Sequence, residues 1–220
     1  MSAVNASRAM EIRTLLDTER RKPGPYQDMQ RLLVRYSVER FLYRLGLSPY
    51  RSKFVLKGAL LLAIYVPNEY RSTGDGDLLA QGHFTPERLL HLFQEVCAIY
   101  YDDGLIFDSI AIEIRDAGAD REYPGYVVVI PANLGASKCN VRLDIGFGQA
   151  VTPSPHLVDY PSLLDLPKPR LRIYPLETVV VRSFTPSFIW VCRTRASRTI
   201  TTWLKSPSIA HCRVRRFAKR

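Results

Sequence analysis

Arg71-Ser72-Thr73-Gly74-Asp75-Gly76-Asp77-Leu78-Leu79 decides the reading of this chain, together with Val141-Arg142-Leu143-Asp144-Ile145-Gly146. Residues two apart on an extended chain leave the same face, so Asp75 and Asp77 present their carboxylates side by side. Such a pair repels itself unless a cation lies between its members. Asp144 stands inside an otherwise apolar run, where an unpaired charge is costly, so it too needs a cationic partner. Asp165 is a weaker fourth candidate. Carboxylates with no sulfur or imidazole beside them suit a hard divalent ion, magnesium above all. Two such ions can clamp the attacking and leaving oxygens of a phosphoryl or nucleotidyl displacement.

Ahead of the pair stands Phe54-Val55-Leu56-Lys57-Gly58-Ala59-Leu60-Leu61-Leu62-Ala63, an apolar run, a glycine and a helix-forming stretch. That order predicts a strand, a turn and a helix. A helix opening at Gly58 would aim free N–H groups at an anion, with Lys57 adding positive charge. Plainer readings stand beside these. An isolated Asp-x-Asp is common in solvated turns, Arg142 could pair with Asp144 from the same strand face, and Gly58 and Lys57 could be an ordinary turn glycine and a solvated lysine.

Lys57-Gly58, then Asp75-x-Asp77, then a strand-borne Asp144 resembles the polymerase-β type of nucleotidyltransferase, and more closely the AbiEii/AbiGii-type nucleotidyltransferase toxins of abortive-infection systems. Arg35-to-Leu45, Phe54-to-Ala59, Arg71-to-Leu79, Leu143-to-Gly148 and Tyr160-Pro161 through Tyr174-to-Val180 carry the likeness over about residues 25–180. The sequence departs from the pattern at Ala59, at Gly74 where an arginine is expected, at Gly76 where a branched apolar residue is expected, and at Gln149 where an aspartate is usual. A glycine between the carboxylates should loosen their strand.

The resemblance implies an α/β (α+β) fold with a mixed sheet flanked by helices and a nucleotidyltransferase domain over residues 1–180. It implies magnesium held by Asp75, Asp77 and Asp144, with Asp144 orienting or deprotonating an acceptor hydroxyl. A nucleoside triphosphate would be bound by Lys57, Gly58 and Arg71. It also implies an RNA (transfer RNA or other) or protein hydroxyl as acceptor and a cognate antitoxin as partner.

The last part of the chain is different in kind. From Arg182 onward there are ten Lys or Arg residues and no Asp or Glu, so the whole formal charge of +10 comes from this segment and the body is neutral. Where the family continues with Lys-Phe and a Ser-Arg-x-Lys-Asp-x-x-Asp-Leu motif, this chain reads Ser183-Phe184 and Ala196-Ser197-Arg198-Thr199-Ile200. Reading each codon one base earlier is compatible with the missing motif. The expectation is therefore an out-of-frame, poorly ordered tail over residues 181–220. The competing expectation is a catalytically dead remnant that binds an antitoxin or nucleic acid, the latter through its basic tail.

With 220 residues, 46% apolar, the chain can bury a substantial core. No apolar run reaches membrane-spanning length and the N-terminal residues lack a signal-peptide core, so a cytoplasmic protein away from membranes is expected. Cys97, Cys139, Cys192 and Cys212 lack metal spacing and should be free thiols. Periodicity predicts helices over 9–20 and 28–45, the second amphipathic, around a turn at Lys22-Pro23-Gly24-Pro25. Thr85-Pro86 should cap a third helix burying Leu89, Phe93, Val96 and Tyr100. Strands are expected over 105–115, 126–130 and 141–147, and the proline-rich stretch 152–175 should be an irregular connector.

Overall fold

The computed structural model describes residues 3–22, 28–65, 74–118, 125–148 and 151–183. Arg71, the Pro23-Gly24-Pro25 turn and nearly all of the basic tail, with Cys192 and Cys212, lie outside them. The chain divides into two compact units, Met1–Pro175 and Leu176–Arg220. In the second, the described residues include a helix over Leu176–Ser183.

The first unit opens with α1 (Ala3–Arg21) and α2 (Met29–Leu47). Asp28 caps α2, its Oδ1 accepting from the amides of Gln30 (2.7 Å) and Arg31 (3.2 Å). There follow β1 (Phe54–Lys57), a 3-10 turn at Gly58–Leu61, the short α3 (Leu62–Tyr65), β2 (Asp75–Ala80) and α4 (Pro86–Ala98). Then come β3 (Leu105–Phe107), β4 (Glu113–Asp116), β5 (Gly125–Leu134), β6 (Ser137–Gly146), β7 (His156–Asp159) and β8 (Arg170–Ile173). Among the described residues the strands form one sheet in the order β3-β5-β6-β2-β1-β8-β7, with β4 also on β5. β2 runs parallel to β6 and β1 parallel to β8, while the other pairs are antiparallel. The expectation of a mixed sheet flanked by helices holds.

Strict alternation along β5 and β6 sets the layers. Val128, Ile130, Ala132 and Leu134 on β5 and Cys139, Val141, Leu143 and Ile145 on β6 are buried, and the residues between them are half-buried or exposed. The apolar face lies against α2, whose Val38 is beside Gly76 and Leu143. α4 contributes to the same core, Phe93 lying against Phe41 and Phe54 with ring centroids 5.7 Å away in each case. Gly76 does not loosen β2. Leu143 fills the space a side chain there would take, its Cδ2 standing 2.8 Å from where a Cβ would be, and the strand stays in register with β6 from Asp75 to Leu79.

α2 is not one-sided. Thirteen of its nineteen residues are buried, among them Arg35, Glu39, Arg40 and Arg44. Glu39 accepts from the Ser162 hydroxyl (2.7 Å) and the Leu163 amide (2.8 Å), and pairs with Arg40 (2.6 Å), which donates to the Pro167 carbonyl (3.0 Å). Arg44 forms a two-pronged pair with Asp103 at 2.7 and 2.9 Å. These side chains hold loops against the helix, and so four of its five charged residues, all but Arg31, are covered.

Other expectations are corrected. The stretch 152–175 holds β7 and β8, and β8 pairs with β1 inside the sheet. Every proline there falls outside those two strands, so no ladder N–H is missing. The strand expected over 105–115 is broken after Phe107, where Asp108 Oδ1 accepts from the amides of Ile110 and Ala111 (3.2 Å each), leaving Ile110 91% exposed. Thr85 caps α4 as expected, its Oγ1 accepting from the Arg88 amide at 3.3 Å, but the helix ends at Ala98 and Tyr100 is exposed.

Candidate active site

Two register facts build the site. Lys57 on β1 is the antiparallel partner of Asp77 on β2, and Asp144 on β6 is the parallel partner of Asp77. Lys57, Asp77 and Asp144 therefore form a row across three adjacent strands, leaving the face opposite α2, with strands about 4.8 Å apart. Asp75 and Arg142 make the next row along the same face. Lys57 reaches across β2, its Nζ lying 3.6 Å from where a Cβ on Gly146 would stand. The small residue on β6 leaves the lysine its path.

Gly58 belongs to the row as well. Its φ is +70°, in the region that favours glycine, and a Cβ there would stand 2.1 Å from Asp77 Oδ2. The Asp77 carboxylate thus rests directly over the turn that follows β1. The sequence places a glycine after the strand, but only the β1–β2 pairing shows that this glycine makes room for a carboxylate.

Arg142 is the side chain whose part sequence reasoning left open. Its Nε is 3.9 Å from Asp75 Oδ1 and its Nη2 is 3.9 Å from Asp144 Oδ1. The guanidinium touches both carboxylates at ion-pair distance, beyond hydrogen-bonding reach. Burial raises the Asp75 carboxyl above the usual carboxylate range, Arg142 opposes that rise and Asp144 adds to it. The Asp75 side chain is 56% exposed, so solvent screens the effect.

As the side chains stand, no group of three His, Cys, Asp or Glu among the described residues could hold a metal ion. Register aligns Asp77 with Asp144, while Asp75 is engaged with Arg142. In donor chemistry the set fits a hard divalent ion, since it offers carboxylates on one face and no thiol or imidazole. Cys97 and Cys139 are free, and burial pushes the Cys97 thiol up to about 12. Asp165 lies exposed in the segment between β7 and β8. A cleft of about 300 Å³ lined by Tyr50, Lys53, Phe84, Arg88, His91 and Leu92 involves none of these residues.

The model of the nucleotidyl transferase AbiEii toxin family, from type IV toxin–antitoxin systems, matches residues 40–182, well over half of the chain. The chain belongs to the AbiEii family. The match takes in β1, the Gly58 turn, β2 and β6, and so every residue of the row. Among solved structures, it is similar to JHP933 from Helicobacter pylori, with 16% identity and a TM-score of 0.42 over 70% of this chain and 54% of that one. A second, a candidate nucleotidyltransferase from H. pylori, gives 19% identity and a TM-score of 0.41 over 69% and 54%. This AbiEii chain spans about half the length of either protein. No curated protein matches it. No helix among the described residues is long and apolar enough to cross a membrane.

Proposed function

We propose that this AbiEii-family chain is a divalent-metal-dependent nucleotidyltransferase, the toxin of a toxin–antitoxin pair, moving a nucleotide from a nucleoside triphosphate to a hydroxyl. The alignment of Lys57, Asp77 and Asp144 across β1, β2 and β6 is the observation that carries this reading. Asp75, Asp77 and Asp144 would hold magnesium. Bound there, the ion would supply Lewis-acid stabilisation of an in-line displacement at phosphorus.

The chain's own groups divide the remaining work. Asp144 accepts the proton of the acceptor hydroxyl as its oxygen bonds to the α-phosphorus and the bond to the pyrophosphate oxygen breaks. Lys57 places a positive charge beside the phosphates; Arg71, outside the described residues, is given the same task by the family resemblance alone. The Gly58 turn keeps Asp77 in place and leaves backbone at the phosphate-binding edge. RNA, transfer RNA included, is the acceptor class we favour, and a cognate antitoxin the protein partner.

The test is transfer of label from α-labelled nucleoside triphosphates to RNA by the full chain with magnesium. Transfer that Asp77→Asn and Asp144→Asn each reduce at least about a hundredfold supports the reading, since a lost metal ligand forfeits several kcal/mol of transition-state stabilisation. Transfer that survives both substitutions contradicts it. The ion pairs of Arg142 favour one second reading, a site neutralised from within whose chain acts by binding antitoxin. Antitoxin binding would then persist with alanine at all three aspartates, and no transfer would be detected.

A further inference from the structure

We infer that Arg142 is the resident countercharge of the carboxylate site, occupying it electrostatically until a divalent cation displaces the guanidinium. This rests on the metal-dependent reading above and deepens it. Asp75, Asp77 and Asp144 leave one face of two adjacent strands, an arrangement that repels itself. Arg142 stands two residues before Asp144 on the same face and is the direct register partner of Asp75. Its Nε and Nη2 lie 3.9 Å from one carboxylate each, so a single guanidinium spans the gap between β2 and β6.

The contacts have the character of a placeholder. At 3.9 Å they confer charge compensation without the short, two-pronged bonds that Arg44 makes to Asp103 at 2.7 and 2.9 Å. The Arg142 side chain is 48% exposed, so it can swing into solvent as an entering cation takes over the Asp144 carboxylate, which is only 20% exposed and would otherwise lose its countercharge, whereas Arg44 is almost fully buried and cannot. A cation entering between the aspartates meets a positive group that must yield. Metal binding is therefore weaker than three carboxylates alone would give, and the carboxylates are kept from splaying before the ion arrives.

Titration of the full chain with Mn²⁺ alone, following free ion by electron paramagnetic resonance, tests this without any turnover. Arg142→Gln should bind Mn²⁺ about tenfold more tightly than the unaltered chain, a cautious figure for removing one charge at this separation. Arg142→Lys, which keeps the charge, should bind like the unaltered chain. In the absence of metal Arg142→Gln should melt at a lower temperature, and Mn²⁺ should raise its Tm more than it raises that of the unaltered protein. Equal or weaker Mn²⁺ binding by folded Arg142→Gln overturns this inference while leaving the metal site standing. Failure of the unaltered chain and Arg142→Gln alike to bind Mn²⁺ overturns both.

Discussion

At the residue scale, little room surrounds the Asp77 carboxylate. A Gly58→Ala chain would place a methyl group against the Asp77 carboxylate and would cost about 1–2 kcal/mol of backbone strain at a positive φ. The expected result is a modest fall in Tm and a loss of transfer approaching that of Asp77→Asn; retained activity would show that the carboxylate need not sit there. Asp75 gives a pH signature. Its carboxyl is held above the usual range, so the folded state binds that proton more tightly than the unfolded state, and the group's contribution to stability is lost as pH rises through its raised pKa. Asp75→Asn should therefore raise Tm at neutral pH, and the gain should vanish by about pH 3, well below the unfolded aspartate's pKa of about 3.9, where both states are protonated. Thermal melts across pH decide it. The aspartates and Lys57-Gly58 were legible because alternation and a turn glycine are local patterns. The Gly58–Asp77 contact and the double pairing of Arg142 were not, because both depend on which strands lie side by side.

At the scale of elements, α2 shows why periodicity misreads a helix buried over most of its surface. Its charged residues look like a solvent face, yet Arg35, Glu39, Arg40 and Arg44 receive loops rather than water. Arg44→Ala should destabilise the fold by about 3–5 kcal/mol, because Asp103 would remain buried without its partner. Replacing Arg44 and Asp103 together by apolar residues should cost less than the single change, and chemical denaturation of the three variants measures the difference. At the end of the same helix, a Cβ on Gly46 would stand 2.9 Å from the Arg170 carbonyl oxygen of β8. Gly46→Ala should then cost about 1–3 kcal/mol, the range for overpacking, and a chain as stable as the original would mean that β8 can shift. β7 and β8 were hidden by the prolines around them, since spacing along the chain does not reveal which residues a ladder skips.

At the scale of the whole molecule, the first unit divides its sheet between two tasks. One face is closed by α2 and α4 to make the core, and the other carries the row of charged groups, so the site is built on strands whose positions the core fixes. The charge pattern adds a separate expectation. Residues 182–220 hold the whole net charge of +10, and binding of the full chain to unlabelled competitor RNA should weaken steeply between low and physiological salt. Anisotropy titrations should show that component disappear when residues 184–220 are deleted, and binding with no salt dependence would refute it. Whether that segment is read out of frame is decided by the nucleotide sequence around codons 178–205. The proposed function stands on a divalent ion held by Asp75, Asp77 and Asp144. Anomalous scattering from crystals grown with Mn²⁺ and a non-hydrolysable nucleoside triphosphate tests it most directly. A manganese peak beside Asp75, Asp77 and Asp144, with the triphosphate beside Lys57 and Gly58, is the expected result; carboxylates turned apart with no peak beside them would contradict it.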